Sequence, residues 1–182
     1  MAFRAVTRRA AFARPAIAAR AFHSTPRAFV RVGDEIPDLN VLVEDSPANK
    51  VNLADEFKSA NGLIIGVPAA FSGTCSASHV PSYINHPKLK EAGSVFVVSV
   101  NDPFHEGVGR PDGPGTADIR FLGDPTAEFT KALDLGWDGS AIFGGIRSKR
   151  YALVVENGTV KSAHVEPDNT GTAVSMADKV LG

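Results

Sequence analysis

Cys75 is the only cysteine of this chain and the residue best suited to do chemistry. It lies in the stretch GVPAAFSGTCSASHVPSY (66–83), between a strand-like apolar run and a helix-like run. A cysteine in the first turn of a helix is close to unpaired backbone N–H groups, and these groups and the helix dipole favour the reactive thiolate. Upstream, Ser72 can donate or accept a hydrogen bond and Pro68 restricts the loop. A lone cysteine can equally be a buried, inert side chain.

Composition disfavours several other kinds of site. One cysteine cannot form an intramolecular disulfide, and neither it nor the five histidines form CxxC, HxxxH or HExxH spacings. The glycines of residues 107–118 do not form GxGxxG, which disfavours nucleotide binding. His79 follows Cys75 by one helical turn, which would suit a Cys–His pair in a hydrolase, but we favour a structural role for this histidine. We therefore expect no metal and no cofactor.

The first 31 residues differ sharply in charge from the rest. They contain seven arginines, many alanines and several hydroxyl residues, and the first acidic residue is Asp34. This composition is typical of a mitochondrial transit peptide, a cationic amphipathic helix drawn inward by a negative-inside potential, whereas the alternative is a disordered basic tail. RAFHST (20–25) resembles a two-step processing signal, with a cut after Ala21 and removal of the octapeptide Phe22–Phe29. We predict a transit peptide over 1–29 and one mitochondrial domain over 30–182, with the matrix as default compartment.

Residues 32–182, the 151 residues that follow the arginine-rich segment, are acidic overall. They hold 12 of the 19 Lys and Arg residues and all 20 Asp and Glu residues, a net charge of −8, which argues against a nucleic-acid partner. No apolar run approaches the roughly 20 residues of a membrane span, so we expect no membrane partner. The hydrophobic content of 43% is ordinary for a globular domain.

Short strand and helix patterns alternate along this body. The predicted strands are Leu39–Val43, Leu63–Val67, Ser94–Val100, Ile119–Leu122, and a hairpin of Tyr151–Val155 and Thr159–Ala163 around Asn157-Gly158. The predicted helices are Leu53–Lys58 capped by Asn52, Cys75–Lys90 capped by Ser72 or Thr74, Thr126–Leu133 started by Asp124 or Pro125, and Ala173–Leu181. A polar turn follows the first strand, and a helical turn over Asp102–Val108 precedes a Gly/Pro-rich loop. This order favours an α/β sandwich with a mixed sheet covered on both faces.

Four segments of the chain resemble one protein family. PAAFSGTC (68–75) fits P-x-x-x-[T/S]-x-x-C and looks like the active-site loop of the peroxiredoxins, which are thiol peroxidases. CSASHVPSY, RSKRYALVVENGTV and VEPDNTG follow in the expected order and are similar to the peroxiredoxin-five (type II) subfamily. The resemblance extends from about Val32 to Gly182. It implies a thioredoxin-like α/β fold, with a central mixed sheet flanked by helices.

The resemblance also implies a role for each matching residue of the loop. Cys75 corresponds to the peroxidatic cysteine, which attacks a peroxide and becomes a sulfenic acid. Pro68 matches the residue that shields the sulfur. Ser72 stands where a hydroxyl, often threonine, orients the peroxide, and backbone N–H groups near Thr74 and Cys75 hold its oxygens. Ser72 and Gly73 replace the more usual Thr and Pro.

An arginine near the end of the chain completes the implied site. Arg150 matches the residue that favours the thiolate and stabilises the charge of the transition state, a role that suits a side chain with a permanent charge. Arg147 and Lys149 have weaker claims, since both could be solvated surface charges.

The resemblance implies one-cysteine chemistry. Members with a resolving cysteine carry it after EPD-x-TG, where this chain reads TAVSM with Val174 at the expected position. An external thiol, glutathione with glutaredoxin or thioredoxin, would then recycle the sulfenate after reduction of hydrogen peroxide or alkyl hydroperoxides, in support of cell redox homeostasis. A homodimer is also implied. The same residues would serve a thiol redox sensor or relay with little turnover, or an inert thioredoxin-like domain, and these alternatives stay open.

Overall fold

The computed structural model describes residues 29–70, 73–104 and 119–182. The predicted transit peptide up to residue 28, the side chain of Ser72, most of the predicted turn Asp102–Val108 and the Gly/Pro-rich loop lie outside the described residues.

The strands form a seven-stranded mixed sheet and a separate two-stranded hairpin. In chain order they are β1 Leu42–Glu44, β2 Ser46–Val51, β3 Asn61–Val67, β4 Ser94–Ser99, β5 Ile119–Gly123, β6 Gly136–Asp138, β7 Ile146–Ser148, β8 Tyr151–Glu156 and β9 Thr159–Val165. The large sheet has the order β2-β1-β5-β4-β3-β8-β9, and β6 pairs with β7. β3, β4 and β5 run parallel, whereas β8 runs antiparallel to β3.

The helices are short. They are α1 Leu53–Glu56, α2 Val80–Ile84, α3 Glu128–Ala132, α4 Ser140–Phe143 and α5 Ala177–Val180, with a π-helical segment Cys75–His79 before α2 and a 3₁₀ turn at Leu89–Glu91. None of the helices in the described ranges has the length and apolarity needed to cross a membrane.

Side chains of the central strands alternate between two cores. Ile64 and Phe96 belong to one cluster of buried residues, and Leu63, Ile65 and Val97 belong to the other. Successive side chains of a strand point to opposite faces, so both faces of the sheet are covered, and the predicted α/β sandwich with a mixed sheet is confirmed. Burial of each large apolar side chain stabilises the folded state by about 1.5–3 kcal/mol. Packing on both faces of the sheet therefore holds the end of β3 in place.

Predictions from single capping and turn residues are confirmed at three positions. The side chain of Asn52 accepts a hydrogen bond from the N–H of Ala54 at 3.0 Å and caps α1. Asn157 and Gly158 have φ angles of 49° and 75°, as a type I′ turn requires, and join β8 to β9. The buried carboxylate of Asp124 accepts from the N–H of Thr130 at 2.8 Å in the first turn of α3.

The prediction for the segment before α1 was wrong. The first strand is Leu42–Glu44, displaced from the predicted Leu39–Val43, and the predicted polar turn is strand β2. β2 is the edge strand of the sheet and is mostly exposed, so it shows no apolar alternation. Its Pro47 is tolerated because an edge strand has N–H groups that need no ladder partner.

The long predicted helix Cys75–Lys90 is interrupted. α2 ends at Ile84, and Pro87 separates it from the 3₁₀ turn, because proline lacks the N–H that a continuing helix needs. Thr74 does not cap the segment: it has helical dihedral angles itself, and its side chain makes no capping hydrogen bond.

The predicted C-terminal helix Ala173–Leu181 is limited to α5, because Met176 has an extended backbone with a ψ of 155° and no helix can continue through it. In the segment before α5, Glu166 accepts hydrogen bonds from the N–H groups of Ala173, Val174 and Ser175 at 3.0, 2.8 and 2.8 Å, and from the Ser175 hydroxyl at 2.7 Å. Burial works to raise the pKa of Glu166, but these hydrogen bonds outweigh it and hold the pKa below its usual range. The carboxylate therefore holds residues 173–175 in a non-helical conformation beside the end of β9.

The carbonyl oxygen of Ser175 ties this C-terminal segment to the helix that begins at Cys75. It lies 2.9 Å from Nε2 of His79 and accepts from the hydroxyl of Tyr83 at 2.5 Å. Because a carbonyl only accepts, Nε2 of His79 carries the proton. Burial lowers the pKa of His79 to about 4, although the hydrogen bond to Ser175 works in the opposite direction. His79 is thus a neutral, structural residue in the folded protein.

We predict that stability falls as the pH is lowered from 6.5 to about 4. The unfolded chain takes up a proton at His79 in this window and the folded chain does not, so the loss should reach about 3 kcal/mol. Glu166, whose pKa is depressed, adds a loss that begins near its ordinary value of 4.5, at the acidic end of this window, and continues below it. Urea unfolding of residues 30–182 at a series of pH values measures the slope.

His79→Gln should flatten this part of the profile. Tyr83→Phe is the matched control, because it removes a hydrogen bond to the same Ser175 oxygen without removing the titrating group. It should lower stability throughout and keep the slope. A His79→Gln profile as steep as that of the unmodified chain would contradict the prediction.

Candidate active site

The end of strand β3 delivers the chain to Cys75. Pro68 follows β3 directly and is buried, and without an N–H it ends the ladder. Cys75 begins the π-helical segment and is 2% exposed. Such segments are rare and frequently occur at functional sites.

Strand pairing brings a distant arginine to the same edge of the sheet. β8 runs antiparallel to β3 with Gly66 opposite Tyr151, so the residue before β8 lies beside the end of β3. That residue is Arg150, and its Nη1 donates a hydrogen bond to Sγ of Cys75 at 3.3 Å. Two residues 75 positions apart in the sequence therefore meet.

The loop that follows β9 holds the arginine in place. Nε of Arg150 donates to the carbonyl of Thr170 at 3.1 Å, and its backbone N–H donates to the carbonyl of Asn169 at 2.7 Å. The backbone N–H of Glu166 donates in turn to the carbonyl of Arg150 at 2.9 Å. The guanidinium is therefore aimed at the sulfur by its own backbone and by a neighbouring carbonyl.

This contact places a buried positive charge beside the sulfur. Arg150 is only 1% exposed and its guanidinium is permanently protonated. A buried charge is costly unless it has hydrogen-bond partners, and Sγ of Cys75 is one of these partners. The arrangement suits a cysteine that reacts as a nucleophile.

A cleft of about 420 Å³ is lined by Arg150 and by Thr74, the residue before Cys75. It is lined by Pro68, Gly73, Thr74, Trp137, Ile142, Phe143, Arg150, Asp168, Asn169 and Thr170. Trp137, Ile142 and Phe143 form an apolar wall of this cleft, and the rest of the lining includes the charged residues Arg150 and Asp168. The cleft can accept a small molecule with a polar reacting end and an apolar remainder.

The predicted site residues converge where they can be described. Pro68, Thr74 and Arg150 line the cleft, and Arg150 contacts the sulfur of Cys75. Ser72 lies outside the described residues. In the parts of the chain that the structure describes, no group of three or more His, Cys, Asp or Glu residues is arranged to hold a metal ion.

The two basic residues with weaker claims have other contacts. Lys149 donates its backbone N–H to Leu135 and its ammonium lies 4.3 Å from the ring centroid of Phe29. Arg147 is half-buried and donates to the backbone carbonyls of Val100 and Phe143. Arg147 is therefore not a solvated surface charge.

The apolar wall was not predicted from the sequence. Trp137 lies on β6 and Ile142 and Phe143 lie on α4, within GWDGSAIFGG, which has too few residues for a helical or strand period. The segment Asp-Gly-Ser carried a usable signal, because Asp138 accepts from the N–H of Ser140 at 3.0 Å in a side-chain turn.

Comparisons with known proteins agree with this geometry. The Redoxin family model matches residues 31–181. The chain is 41% identical over 157 residues to peroxisomal membrane associated protein 20 of Schizosaccharomyces pombe, covering 84% of this chain and 97% of that protein. It is 43% identical over 138 residues to mitochondrial peroxiredoxin-2F of Arabidopsis thaliana, covering 71% and 66% respectively. The crystal structure of peroxiredoxin 5 from Alvinella pompejana superposes with a TM-score of 0.69 at 34% identity, covering 78% of this chain and 92% of that one.

The fold, the sequence similarity and the chemistry of the cleft point to the same group of enzymes. The structural match confirms the thioredoxin-like fold that the resemblance implied. A family match over nearly the whole body, together with a buried cysteine in contact with a buried arginine, identifies the chemistry as that of a redox-active thiol. The chain belongs to the Redoxin family and is a peroxiredoxin of the peroxiredoxin-five type, a thiol-dependent peroxidase.

Proposed function

We propose that Cys75 is the peroxidatic residue of this enzyme and that it reduces hydrogen peroxide and alkyl hydroperoxides. The observation that carries the proposal is the 3.3 Å contact between Nη1 of Arg150 and Sγ of Cys75, beside a cleft that Arg150 lines. The remaining site residues take the roles that the resemblance implies.

The proposed reaction begins with attack of the Cys75 thiolate on the terminal oxygen of ROOH. A sulfur–oxygen bond forms as the oxygen–oxygen bond breaks, so the sulfur is oxidised by two electrons and the peroxide is reduced by two. The products are a sulfenic acid and RO⁻, which takes up a proton and leaves as an alcohol, or as water from hydrogen peroxide. Arg150 stabilises the negative charge that develops on the two oxygens.

Three further residues complete the proposed site. The hydroxyl of Ser72 and the backbone N–H groups near Thr74 hold the peroxide in line with the sulfur. Pro68, buried at the cleft, shields the sulfur from solvent. Shielding matters because a sulfenic acid exposed to excess peroxide is oxidised further to a sulfinic acid.

Recycling must use a thiol from another molecule, since Cys75 is the single cysteine of the chain. One external thiol condenses with the sulfenic acid to a mixed disulfide and releases water, and a second thiol frees Cys75 by exchange. We propose glutathione with glutaredoxin, or thioredoxin, as the source.

Substitution of the two contacting residues tests the proposal. We predict that Cys75→Ser abolishes peroxide consumption and that Arg150→Ala slows it by about 10²–10³-fold, because one preformed transition-state donor is lost. Stopped-flow oxidation of residues 30–182, with mass spectrometry of the sulfur, measures both. Lys149→Ala is the control, because it removes a neighbouring positive charge that does not line the cleft.

Two outcomes would overturn the assignment. Retained peroxide consumption in Cys75→Ser would exclude Cys75 as the nucleophile. An equal decrease in the rate of peroxide consumption in Lys149→Ala and Arg150→Ala would exclude a specific role for Arg150. Rapid oxidation without turnover by glutathione and glutaredoxin, or by thioredoxin, would instead favour the redox sensor or relay.

We also propose that residues 1–29 direct the protein to mitochondria, with removal of Phe22–Phe29 as the second cut. The arginine-rich composition supports this, and one relative is a mitochondrial protein by name, whereas another is named as peroxisomal. Import of the full chain into isolated mitochondria should yield a protease-protected product that begins at Val30 and should stop when the membrane potential is dissipated.

A chain that begins at Val30 is the control for import and should stay outside. Recovery of the full chain with peroxisomes in fractionated cells, and none with mitochondria, would contradict the targeting proposal.

We further propose a homodimer, as the family resemblance implies. Ile146, which does not line the cleft, is 42% exposed in the single chain, and a second copy would cover apolar surface of this kind. Light scattering of residues 30–182 should give twice the mass of one chain. A monomer mass across the concentration range of the assay would contradict the proposal.

A further inference from the structure

Arg147 joins the apolar wall of the cleft to the central sheet. It lies on β7 opposite Trp137 of β6. Nη2 donates to the carbonyl of Phe143, the last residue of α4, at 2.8 Å, and Nη1 donates to the carbonyl of Val100, which follows β4. One side chain thus bridges a hairpin that is separate from the large sheet and a strand end that belongs to it.

The same side chain packs on the aromatic part of the wall. The Arg147 guanidinium carbon lies 5.6 Å from the ring centroid of Phe143, and that ring meets Trp137 edge to face at 6.2 Å. A Cβ at Gly139 would lie 3.0 Å from Cγ of Arg147, so the glycine permits the close approach of the arginine stem. The contacts together set the orientation of the Phe143 ring.

Helix α4 lies in the turn between β6 and β7, which the pairing of Asp138 with Ile146 and a 3.1 Å hydrogen bond from the N–H of Gly139 to the carbonyl of Gly145 close around it. It has four residues, none of them buried, and a single isolated turn is unstable in water. At its start, Asp138 accepts from the N–H of Ser140. At its end, the guanidinium of Arg147 satisfies a carbonyl that has no partner further along the helix.

We propose that Arg147 is a positioning residue that holds the Ile142–Phe143 wall over the cleft and so sets the preference of the enzyme for hydroperoxides that carry an apolar group. The proposal rests on the function proposed above. An apolar group bound in the cleft gains from contact with this wall, whereas hydrogen peroxide has no group to make that contact. Displacement of the wall should therefore slow the reaction with apolar hydroperoxides more than the reaction with hydrogen peroxide.

The test compares two peroxides on one set of variants. Second-order rate constants for oxidation of Cys75 by cumene hydroperoxide and by hydrogen peroxide are measured for the full domain, residues 30–182, and their ratio is taken. Arg147→Met keeps the stem and removes the donors, and the ratio of cumene hydroperoxide to hydrogen peroxide should fall about tenfold. For Arg147→Lys this ratio should fall less, because an ammonium keeps the charge but lacks the planar guanidinium that reaches both carbonyls.

Arg120→Met is the matched control. It removes an arginine that bonds Glu44 and Glu56 and does not line the cleft, so the ratio should stay unchanged even if stability falls. Ile142→Ser alters the wall directly at an exposed position and should lower the ratio in a folded protein even if Arg147→Met does not fold.

The outcomes separate this proposal from the one on which it rests. A selective loss with cumene hydroperoxide supports a positioning role. An unchanged ratio in Arg147→Lys and Arg147→Met, or equal losses with both peroxides, would overturn it. Oxidation of the unmodified chain no faster than that of a free thiol would mean that the proposed function itself fails.

Discussion

The rest of the site depends on one buried charge, the guanidinium of Arg150. A permanently protonated side chain that is 1% exposed must be met by an anion or by well-placed carbonyls, and here the sulfur of Cys75 and the carbonyl of Thr170 meet it. Adjacent antiparallel strands make this possible, because the end of β3 and the start of β8 share one edge. The close approach also requires Gly66, since a Cβ there would lie 1.9 Å from the Tyr151 ring.

Glu166 connects this arginine to the end of the chain. Its backbone N–H donates to the carbonyl of Arg150, and its carboxylate binds three successive N–H groups of residues 173–175. The backbone carbonyl of Ser175 then accepts hydrogen bonds from the side chains of His79 and Tyr83, which follow Cys75 in the chain. The sulfur, the arginine and the C-terminal segment therefore form a closed loop of contacts.

Sequence patterns predicted the parts of the molecule that short-range physics determines. β3, β4 and the Asn157-Gly158 hairpin follow from apolar runs and turn chemistry, whereas Arg150 was predicted only from the family resemblance. Elements determined by other contacts were wrong or missed. The helix predicted from Ala173 begins only after the extended residue Met176, the edge strand β2 is mostly exposed, and Arg147 bonds the backbone of Phe143 in the apolar wall. Ser72 stays a prediction.

Trp137 has a consequence for following the enzyme in solution. It is the only tryptophan of the chain, it contacts Phe143, and it lines the same cleft as Arg150. Indole emission responds to nearby charge and packing, and Arg150, which lines this cleft with Trp137, also contacts the sulfur of Cys75. Under the proposed function, intrinsic fluorescence would therefore offer a way to follow both halves of the cycle without a dye or a coupled reductase.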